Sequence, residues 1–325
     1  MKNQDRKDMR KKPADFETAV AAAGYGKYQR FLLLSIIPVS WASNFDTANM
    51  SLILPSAECD LQLTLFHKGV LNAITYVGMV LSGFLWGYIA DVRGRKSLVI
   101  YGYLADGICN LLLGFSQDFW MLVCLKFLSG FIVSGPYASL MAYCSEFYGV
   151  KERTKVPLLV GFSVGFGSIL FHYSALAWMV IPQDWSIVLW DGAFVYNSWR
   201  IFLSLCSLPT ILGVACVAFF PESPKFLMSQ GRTEEALKVF KSMYSWNTGK
   251  SADDYPVNTV LEMSDGSPIC TNELSFYFRT MAVSMEMVFG RIGSMLGNLL
   301  FPILLAFGLC FVLTYFLPMN KKIKE

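Results

Sequence analysis

Charged residues are scarce in this chain of 325 residues. They make up 16% of the sequence, against about 25% in a soluble domain, whereas hydrophobic residues make up 54%. This composition excludes low-complexity disorder, collagen and a disulfide-stabilised scaffold. Most of the chain must have lipid rather than water as its solvent, so the sequence predicts a polytopic membrane protein.

Residue patterns typical of enzymes and of nucleic-acid-binding proteins are also missing. The formal net charge is +3 and no basic block alternates with aromatic residues, so nucleic acid is not indicated as a partner. The eight cysteines lie mostly within apolar runs at no metal-ligand spacing, and we expect them to be reduced packing residues. No phosphate-binding loop or nucleophile–base pair stands in a polar segment. The sequence therefore predicts a protein that is not an enzyme and that uses no cofactor or metal.

Six apolar runs predict an all-α bundle of membrane-spanning helices. A helix needs about 20 mostly apolar residues to cross a hydrocarbon core roughly 30 Å thick. Short polar or turn-rich segments separate the runs, which together define an N-terminal six-span bundle over residues 31–221. The runs cover residues 31–53, 69–90, 97–115, 120–143, 156–181 and 201–220.

The distribution of basic residues predicts the orientation, because basic loops are retained in the cytoplasm. Basic residues are concentrated in the N-terminal arm (residues 1–30), in the loops after the second and fourth runs, and after the sixth run. The alternate loops hold only Lys68 and Arg200, both close to a helix end. We therefore expect a cytoplasmic N-terminus, and an outer loop over residues 182–199 whose tryptophans lie at the membrane interface.

The polar segment over residues 222–279 is expected to be a cytoplasmic loop. Within it, residues 232–244 have the amphipathic pattern of a short surface helix, for which Thr233 is the expected cap. Residues 251–270 contain Asp, Pro, Gly and Ser without apolar periodicity, and this composition predicts a linker.

The last apolar stretch, over residues 280–318, is too long for one ordinary span and barely long enough for two. Glu286 and Arg291 interrupt its first half. We interpret it as one or two short spans, followed by a cytoplasmic tail over residues 319–325. A single tilted helix from about residue 293 to residue 317 is the alternative.

The loop after the second run carries several groups at fixed spacing. Gly87 lets two helices approach closely, Asp91 places a carboxylate at the membrane face, and Gly94 permits a tight turn. The loop reads Gly87-Tyr-Ile-Ala-Asp91-Val-Arg93-Gly94-Arg95-Lys96. It resembles the G-x-x-x-D-R-x-G-R-K signature of the major facilitator superfamily, with Val92 where that family usually has Arg.

Two further segments resemble motifs of the same superfamily, in the expected order along the chain. The fourth run contains Lys126-Phe-Leu-Ser-Gly130-Phe-Ile-Val-Ser-Gly135, similar to R-F-L-x-G-x-x-x-x-G with Lys in place of Arg. The sixth run closes with Pro221-Glu222-Ser223-Pro224-Lys225-Phe-Leu, similar to the P-E-S-P-R-x-L of sugar porters. Within the superfamily, the chain most resembles the synaptic vesicle glycoprotein 2-like group, through residues 130–147, 245–257 and 281–302.

The resemblance implies that part of the usual carrier is absent. A carrier of this type has two six-span bundles with the substrate held between them. Here the loop after the sixth span leads directly into residues 281–302, which resemble the eleventh span of such proteins. Spans seven to ten would therefore be missing. A splice form, a degenerate paralogue or an error in the gene model would each explain their absence.

Asp46 lies in the middle of the first run, where a carboxylate is expected to be paired or to serve a function. The resemblance to sugar porters implies a proton-coupling Asp in this segment, opposite a basic residue of the fourth span, which here is Lys126. We expect Asp46 and Lys126 to face one cavity, and protonation of Asp46 to release the pair as the carrier changes state. A static buried pair, or an Asp46 wetted at the outer interface, is the alternative.

Asp106 and His172 are the other polar residues placed at membrane depth, and they are candidate cavity residues. A role in packing is the alternative for both. The resemblance implies that Asp91 and Glu222 act as gate residues on the cytoplasmic side, although simple structural ion pairs would explain them equally well. It assigns the contacts between the two halves to Arg279, Glu286 and Arg291, for which a simple structural ion pair is also the alternative.

The sequence therefore predicts a secondary carrier of the major facilitator type, which moves a small organic solute by alternating access and is coupled to protons. The alternative is a truncated, non-transporting membrane scaffold or a partner of a full-length relative. Self-association of two copies would supply two bundles. A water-accessible cavity beside Asp46 would favour transport, whereas an Asp46 packed inside the protein would favour a scaffold. Membrane lipid is the other expected partner, and the sequence does not distinguish the plasma membrane from a vesicle membrane.

Overall fold

The computed structural model describes residues 13–174, 186–189 and 194–262, together with residues 292, 293 and 296. Over these residues the chain is a helical bundle with one short antiparallel hairpin. The helices are α1 (Phe16–Ala23), α2 (Lys27–Leu61), α3 (Leu65–Arg93), α4 (Arg95–Leu113), α5 (Phe119–Ser145), α6 (Val150–Arg153), α7 (Lys155–Gly167), α8 (Ser198–Leu205), α9 (Leu208–Ala218), α10 (Pro224–Ser229) and α11 (Thr233–Thr248), and the strands are β1 (Ser186–Leu189) and β2 (Phe194–Asn197). The predicted fold class, an all-α bundle, is confirmed.

The long helices fall where the apolar runs are. Helices α2, α3 and α5 contain the first, second and fourth runs, and α4 covers nearly all of the third. Three helical stretches are both long and apolar enough to cross a membrane, namely Phe119–Ser145, Val150–Phe171 and Ser198–Ala218. Helices α2, α3 and α4 have 35, 29 and 19 residues, which is a spanning length, but they carry more polar side chains.

The fifth and sixth runs are not uniform helices. Helix α7 continues as a π-helical turn over Ser168–Tyr173, and residues 175–185 lie outside the described part of the chain. The sixth run is divided into α8 and α9 by a turn at Cys206 and Ser207. Pro209 stands in the first turn of α9, where its missing N–H leaves no helical hydrogen bond unmade.

The outer loop predicted over residues 182–199 contains the β1–β2 hairpin, which the sequence did not indicate. The side chain of Gln117 fixes β2 by pairing with the backbone of Val195: its Nε2 donates to the carbonyl at 3.2 Å, and its Oε1 accepts from the amide at 3.0 Å. Helix α8 also begins inside this predicted loop, at Ser198. The hairpin therefore closes this end of the bundle beside the α4–α5 turn.

Two glycines of the fourth-run motif allow α5 to pack closely against α3. A Cβ at Gly130 would lie 2.1 Å from the carbonyl oxygen of Thr75, and a Cβ at Gly135 would lie 2.3 Å from the ring of Trp86. Neither position has room for a side chain. Close backbone contact at small residues is how helices associate in lipid, where burial of apolar surface gives no driving force.

An end layer, defined here as α1, α10, α11 and residues 252–262, covers one end of the bundle. The Phe16 and Phe240 rings are 6.2 Å apart, the Tyr255 hydroxyl donates to the Ala19 carbonyl at 2.7 Å, and Ala14 forms a parallel bridge with Val260. The prediction of a linker over residues 251–270 is therefore wrong as far as residue 262. A few large side chains, buried Tyr255 among them, suffice to hold a segment that lacks any periodic pattern.

Helix α11 is longer than predicted and starts differently. Thr233 is its first helical residue, so the prediction that Thr233 caps it is wrong. Arg232 occupies the cap position, and its guanidinium forms a bidentate ion pair with Glu235, at 2.8 and 2.7 Å. Gly249 ends the helix with a φ of 72°, in the left-handed region that favours glycine.

Candidate functional site

The structure brings Asp46 of α2 and Lys126 of α5 into direct contact. Lys126 Nζ lies 2.8 Å from Asp46 Oδ1 and also donates to the Asp46 backbone carbonyl at 2.8 Å. Both side chains have 0% exposure. The sequence placed these two residues opposite each other only through a resemblance, and the geometry now joins them as a buried ion pair.

Three more polar side chains extend this pair into α4. Ser129 Oγ is within hydrogen-bond distance of both Asp46 Oδ2, at 2.7 Å, and Asp106 Oδ1, at 3.1 Å. Asn110 Nδ2 lies 3.3 Å from the same Asp106 oxygen and donates to the Asp106 backbone carbonyl at 3.2 Å. We call these five residues the buried polar cluster.

Sequence reasoning missed Ser129 and Asn110, although their spacing gave a signal. Ser129 follows Lys126 by three residues and Asn110 follows Asp106 by four, so each lies on the same helix face as a charged residue that had been singled out. In the described part of the chain, Asp106 Oδ2 and Asn110 Oδ1 have no hydrogen-bond partner. Unsatisfied buried oxygens of this kind are costly in a static structure, so the buried polar cluster is a candidate site.

A second charged network lies at the opposite end of α4, in the signature loop. Glu222 Oε1 accepts hydrogen bonds from the backbone amides of Lys96, at 3.0 Å, and Ser223, at 2.9 Å. Gly94, between α3 and α4, has a φ of 89°, and a Cβ there would lie 2.8 Å from Glu222 Oε2. The Glu222 carboxylate therefore packs against the predicted tight turn at Gly94.

Glu146, at the end of α5, completes this network and was not predicted. It is buried, forms an ion pair with Arg95, and accepts a hydrogen bond from the Ser223 hydroxyl. The Tyr143 hydroxyl, one turn earlier, donates to the Pro221 carbonyl at 2.6 Å. The signature loop, the end of α5 and the Pro221–Lys225 turn are thus joined; we call this set of contacts the loop network.

Lys225 connects the loop network to the end layer. Burial lowers the pKa of its ammonium group, and the nearby positive charges of Arg95 and Arg153 lower it further. Its Nζ lies 6.0 Å from the centre of the Phe16 ring, and Arg153 forms a 2.8 Å ion pair with Glu17 of α1. Helix α1 is therefore packed beside the Pro221–Lys225 turn, which carries Glu222.

Several predicted site residues lie outside what the structure describes. Arg93 is at the last turn of α3 and is exposed, whereas nothing is described of the side chains of Gly87 and Asp91 on the same helix. The His172 side chain in the π-helical turn is likewise outside the described residues. So are the three residues assigned to contacts between the halves, Arg279, Glu286 and Arg291.

The bundle, with three helical stretches long and apolar enough to cross a membrane, defines the class of protein as a helical membrane protein. The family model described as "Sugar (and other) transporter" matches residues 39–317, and the chain belongs to this family. The predicted membership of the major facilitator superfamily, in its sugar-porter and synaptic vesicle glycoprotein 2-like branch, is confirmed.

Similar proteins place the chain within this family. It is 29% identical to synaptic vesicle glycoprotein 2C of Mus musculus over 261 residues, which is 80% of this chain and 36% of that protein. It is 30% identical to synaptic vesicle glycoprotein 2B of Rattus norvegicus over 246 residues, 75% of this chain and 36% of that protein. The chain therefore spans little more than a third of the length of these relatives.

The fold is similar to that of the xylose transporter XylE from E. coli in a partially occluded inward-open conformation. The TM-score is 0.56, with 20% sequence identity, over 67% of this chain and 55% of that one. A structure of the proton:xylose symporter XylE bound to 6-bromo-6-deoxy-D-glucose gives a TM-score of 0.57. At this identity the likeness concerns the fold.

Proposed function

We propose that the chain is a secondary carrier for a small, polar, sugar-like organic solute, driven by a proton gradient across its membrane. The observation that carries this proposal is the buried Asp46–Lys126 pair between α2 and α5. Membership of a transporter family supports solute transport, and a fold shared with a proton:xylose symporter supports the solute class and the coupling ion.

The physical basis of coupling is the cost of separating two buried charges. While Asp46 is ionised, Lys126 binds both its carboxylate and its backbone carbonyl, so α2 and α5 are locked together at this point. Protonation of Asp46 removes the negative charge, and the ion pair is then replaced by the weaker hydrogen bond of the Lys126 ammonium to a neutral acid. A proton can in this way permit a helix movement that the ionised pair opposes.

The loop network is the proposed gate of this carrier. Glu222 and Glu146 hold the α3–α4 turn, the end of α5 and the Pro221–Lys225 turn together at the end of the bundle that the basic residues assign to the cytoplasm. Opening on this side requires the contacts of Glu222 and Glu146 to break. Because both carboxylates bind groups on other elements, each is a separate point at which the gate can be weakened.

A non-transporting scaffold is the second candidate, and one observation favours it. Asp46 and Lys126 have 0% exposure, so this conformation gives water no route to the pair through the described residues. A carrier in an occluded state would also enclose the pair. The carrier and the scaffold differ in whether the Asp46–Lys126 pair ever separates. A transport measurement distinguishes them.

The test is uptake into liposomes that contain the purified chain, with an imposed proton gradient and a panel of sugars, organic cations and organic anions. We expect uptake of at least one sugar-like solute, its loss in Asp46→Asn, and its retention in Asp253→Asn, which changes an exposed carboxylate of the end layer. Absence of uptake of every solute by a well-folded preparation would favour the scaffold.

A further inference from the structure

A single hydroxyl stands between two carboxyl groups at the centre of the buried polar cluster. Ser129 Oγ is 2.7 Å from Asp46 Oδ2 and 3.1 Å from Asp106 Oδ1. A hydroxyl carries one proton and can donate to only one of these oxygens. If both carboxyls were ionised, the other contact would bring two acceptor oxygens together with no proton between them.

The charge of the cluster leads to the same conclusion. Lys126 contributes one positive charge, and its ammonium contacts Asp46; Asp106 is fully buried and its contacts are Ser129 and Asn110, which are neutral. A carboxylate without a cation is very costly in such a place. Neutralising one carboxyl brings the cluster to zero net charge.

The other ionisable groups around the two carboxyls do not supply the missing charge. Among the described residues these groups are Tyr103 and Cys109 on α4 and Cys206 between α8 and α9. The Tyr103 hydroxyl is 2.6 Å from that of Ser43. Phenols and thiols are neutral at physiological pH. Lys126, which contacts Asp46, is therefore the one positive charge among these groups.

We propose that Asp106 is a protonated carboxylic acid in this state, and that it is a second proton site joined to Asp46 through Ser129. The Asp106 acid donates to Ser129 Oγ, and the Ser129 hydroxyl donates to Asp46 Oδ2. The unpartnered Asp106 Oδ2 is then the carbonyl oxygen of a neutral acid, which buried surroundings tolerate far better than a carboxylate oxygen.

This chain of hydrogen bonds can transfer a proton between the two acids. The Asp106 O–H bond breaks as Ser129 gains that proton, while Ser129 passes its own proton to Asp46 Oδ2. Asp46 becomes neutral, Asp106 becomes the carboxylate, and the total charge of the cluster is unchanged. Because no cation contacts Asp106, this second arrangement is the less stable one in the present geometry. Lys126 is released from an ionised partner without a proton entering from water in that step. Use of the transfer in transport rests on the proposed function; the protonation of Asp106 does not.

Infrared spectroscopy of the purified full chain in detergent tests the protonation directly, since a carboxylic acid C=O absorbs at higher frequency than a carboxylate. We expect a buried-acid band at neutral pH that is lost in Asp106→Asn and that shifts in Ser129→Ala, which removes the acceptor of the Asp106 acid O–H. Ser134→Ala, another buried serine of α5, should leave it unmoved. Absence of the band, or a band that persists unchanged in Asp106→Asn, would overturn the proposal.

Proton-driven uptake tests the relay separately. Ser129→Ala should lose gradient-driven uptake while Ser129→Thr, which keeps a hydroxyl, retains it. Wild-type uptake by Ser129→Ala would overturn the relay. If the infrared band behaves as expected but the wild-type chain moves no solute, the proposed function fails and the protonated Asp106 stands.

Discussion

Glu222 accepts a hydrogen bond from the backbone amide of Lys96 at 3.0 Å and so caps the first turn of α4 from a site 126 residues away in sequence. A carboxylate at a helix N-terminus also complements the positive end of the helix dipole. The same carboxylate lies against Gly94. The α3–α4 turn, the cap of α4 and the proposed gate therefore all depend on the contact between Glu222 and Gly94.

Gly94→Ala should destabilise the protein. Its φ of 89° disfavours any side chain, and the new Cβ would lie 2.8 Å from Glu222 Oε2. We expect a loss of about 1–3 kcal/mol from backbone strain alone, read as a lower thermal midpoint in detergent. Gly161→Ala is the matched control, because that helical glycine faces open space. An equal effect of both changes would contradict the account of the turn.

Removing either member of the buried pair should cost more than removing a surface pair. Lys126→Met leaves the Asp46 carboxylate buried without its cation, for which about 3–5 kcal/mol is typical. Lys68→Met, which breaks the partly exposed pair with Glu58, should cost about 0–1 kcal/mol. Thermal unfolding compares the two. A double variant, Asp46→Leu with Lys126→Met, should recover much of the loss, and failure to recover it would mean that the pair is not the cause.

Weakening the loop network should open the end of the bundle near Cys144. This thiol is fully buried in the last turn of α5, two residues before Glu146. Glu146→Gln removes the charge that binds Arg95, and we expect faster alkylation of Cys144 in a chain whose other cysteines are replaced by serine. Glu234→Gln, an exposed change on α11, is the control. Unchanged alkylation of Cys144 in Glu146→Gln would contradict the proposed gate.

Asn247 of α11 should hold the end of α1 and the start of α2 in place. Its Nδ2 donates to the carbonyls of Ala23, at 3.2 Å, and Gly24, at 2.8 Å, and its Oδ1 accepts from the Tyr28 amide at 3.0 Å. Asn247→Ala removes these three hydrogen bonds. The Gly24 carbonyl keeps its bond from Gln29 Nε2, and the other two groups lose their Asn247 partner, at a cost of about 1–3 kcal/mol for a buried group. We expect faster hydrogen exchange over α1 and none of this effect in Lys250→Ala. Equal protection of α1 from exchange in both variants would contradict this role of Asn247.

Much of the fold could be predicted because spans and charged motifs leave local patterns. The Asp46–Lys126 contact was reached through a family resemblance, and the Gly94 turn through glycine spacing. The β1–β2 hairpin and the packing of Tyr255 against α1 could not be predicted, since each depends on a few contacts between distant segments rather than on periodicity. Glu146 was missed because a single acid after an apolar run looks like any loop residue until the fold buries it.

The most direct test of the central claim, that Asp46 couples protons to solute movement, compares two assays on the same liposomes. One assay measures exchange of a transported solute at equal pH on both sides, and the other measures its accumulation against a gradient. We predict that Asp46→Asn keeps exchange and loses proton-driven accumulation, whereas the wild-type chain performs both. Accumulation by Asp46→Asn at the wild-type level would contradict the claim, and so would a wild-type chain that performs neither reaction.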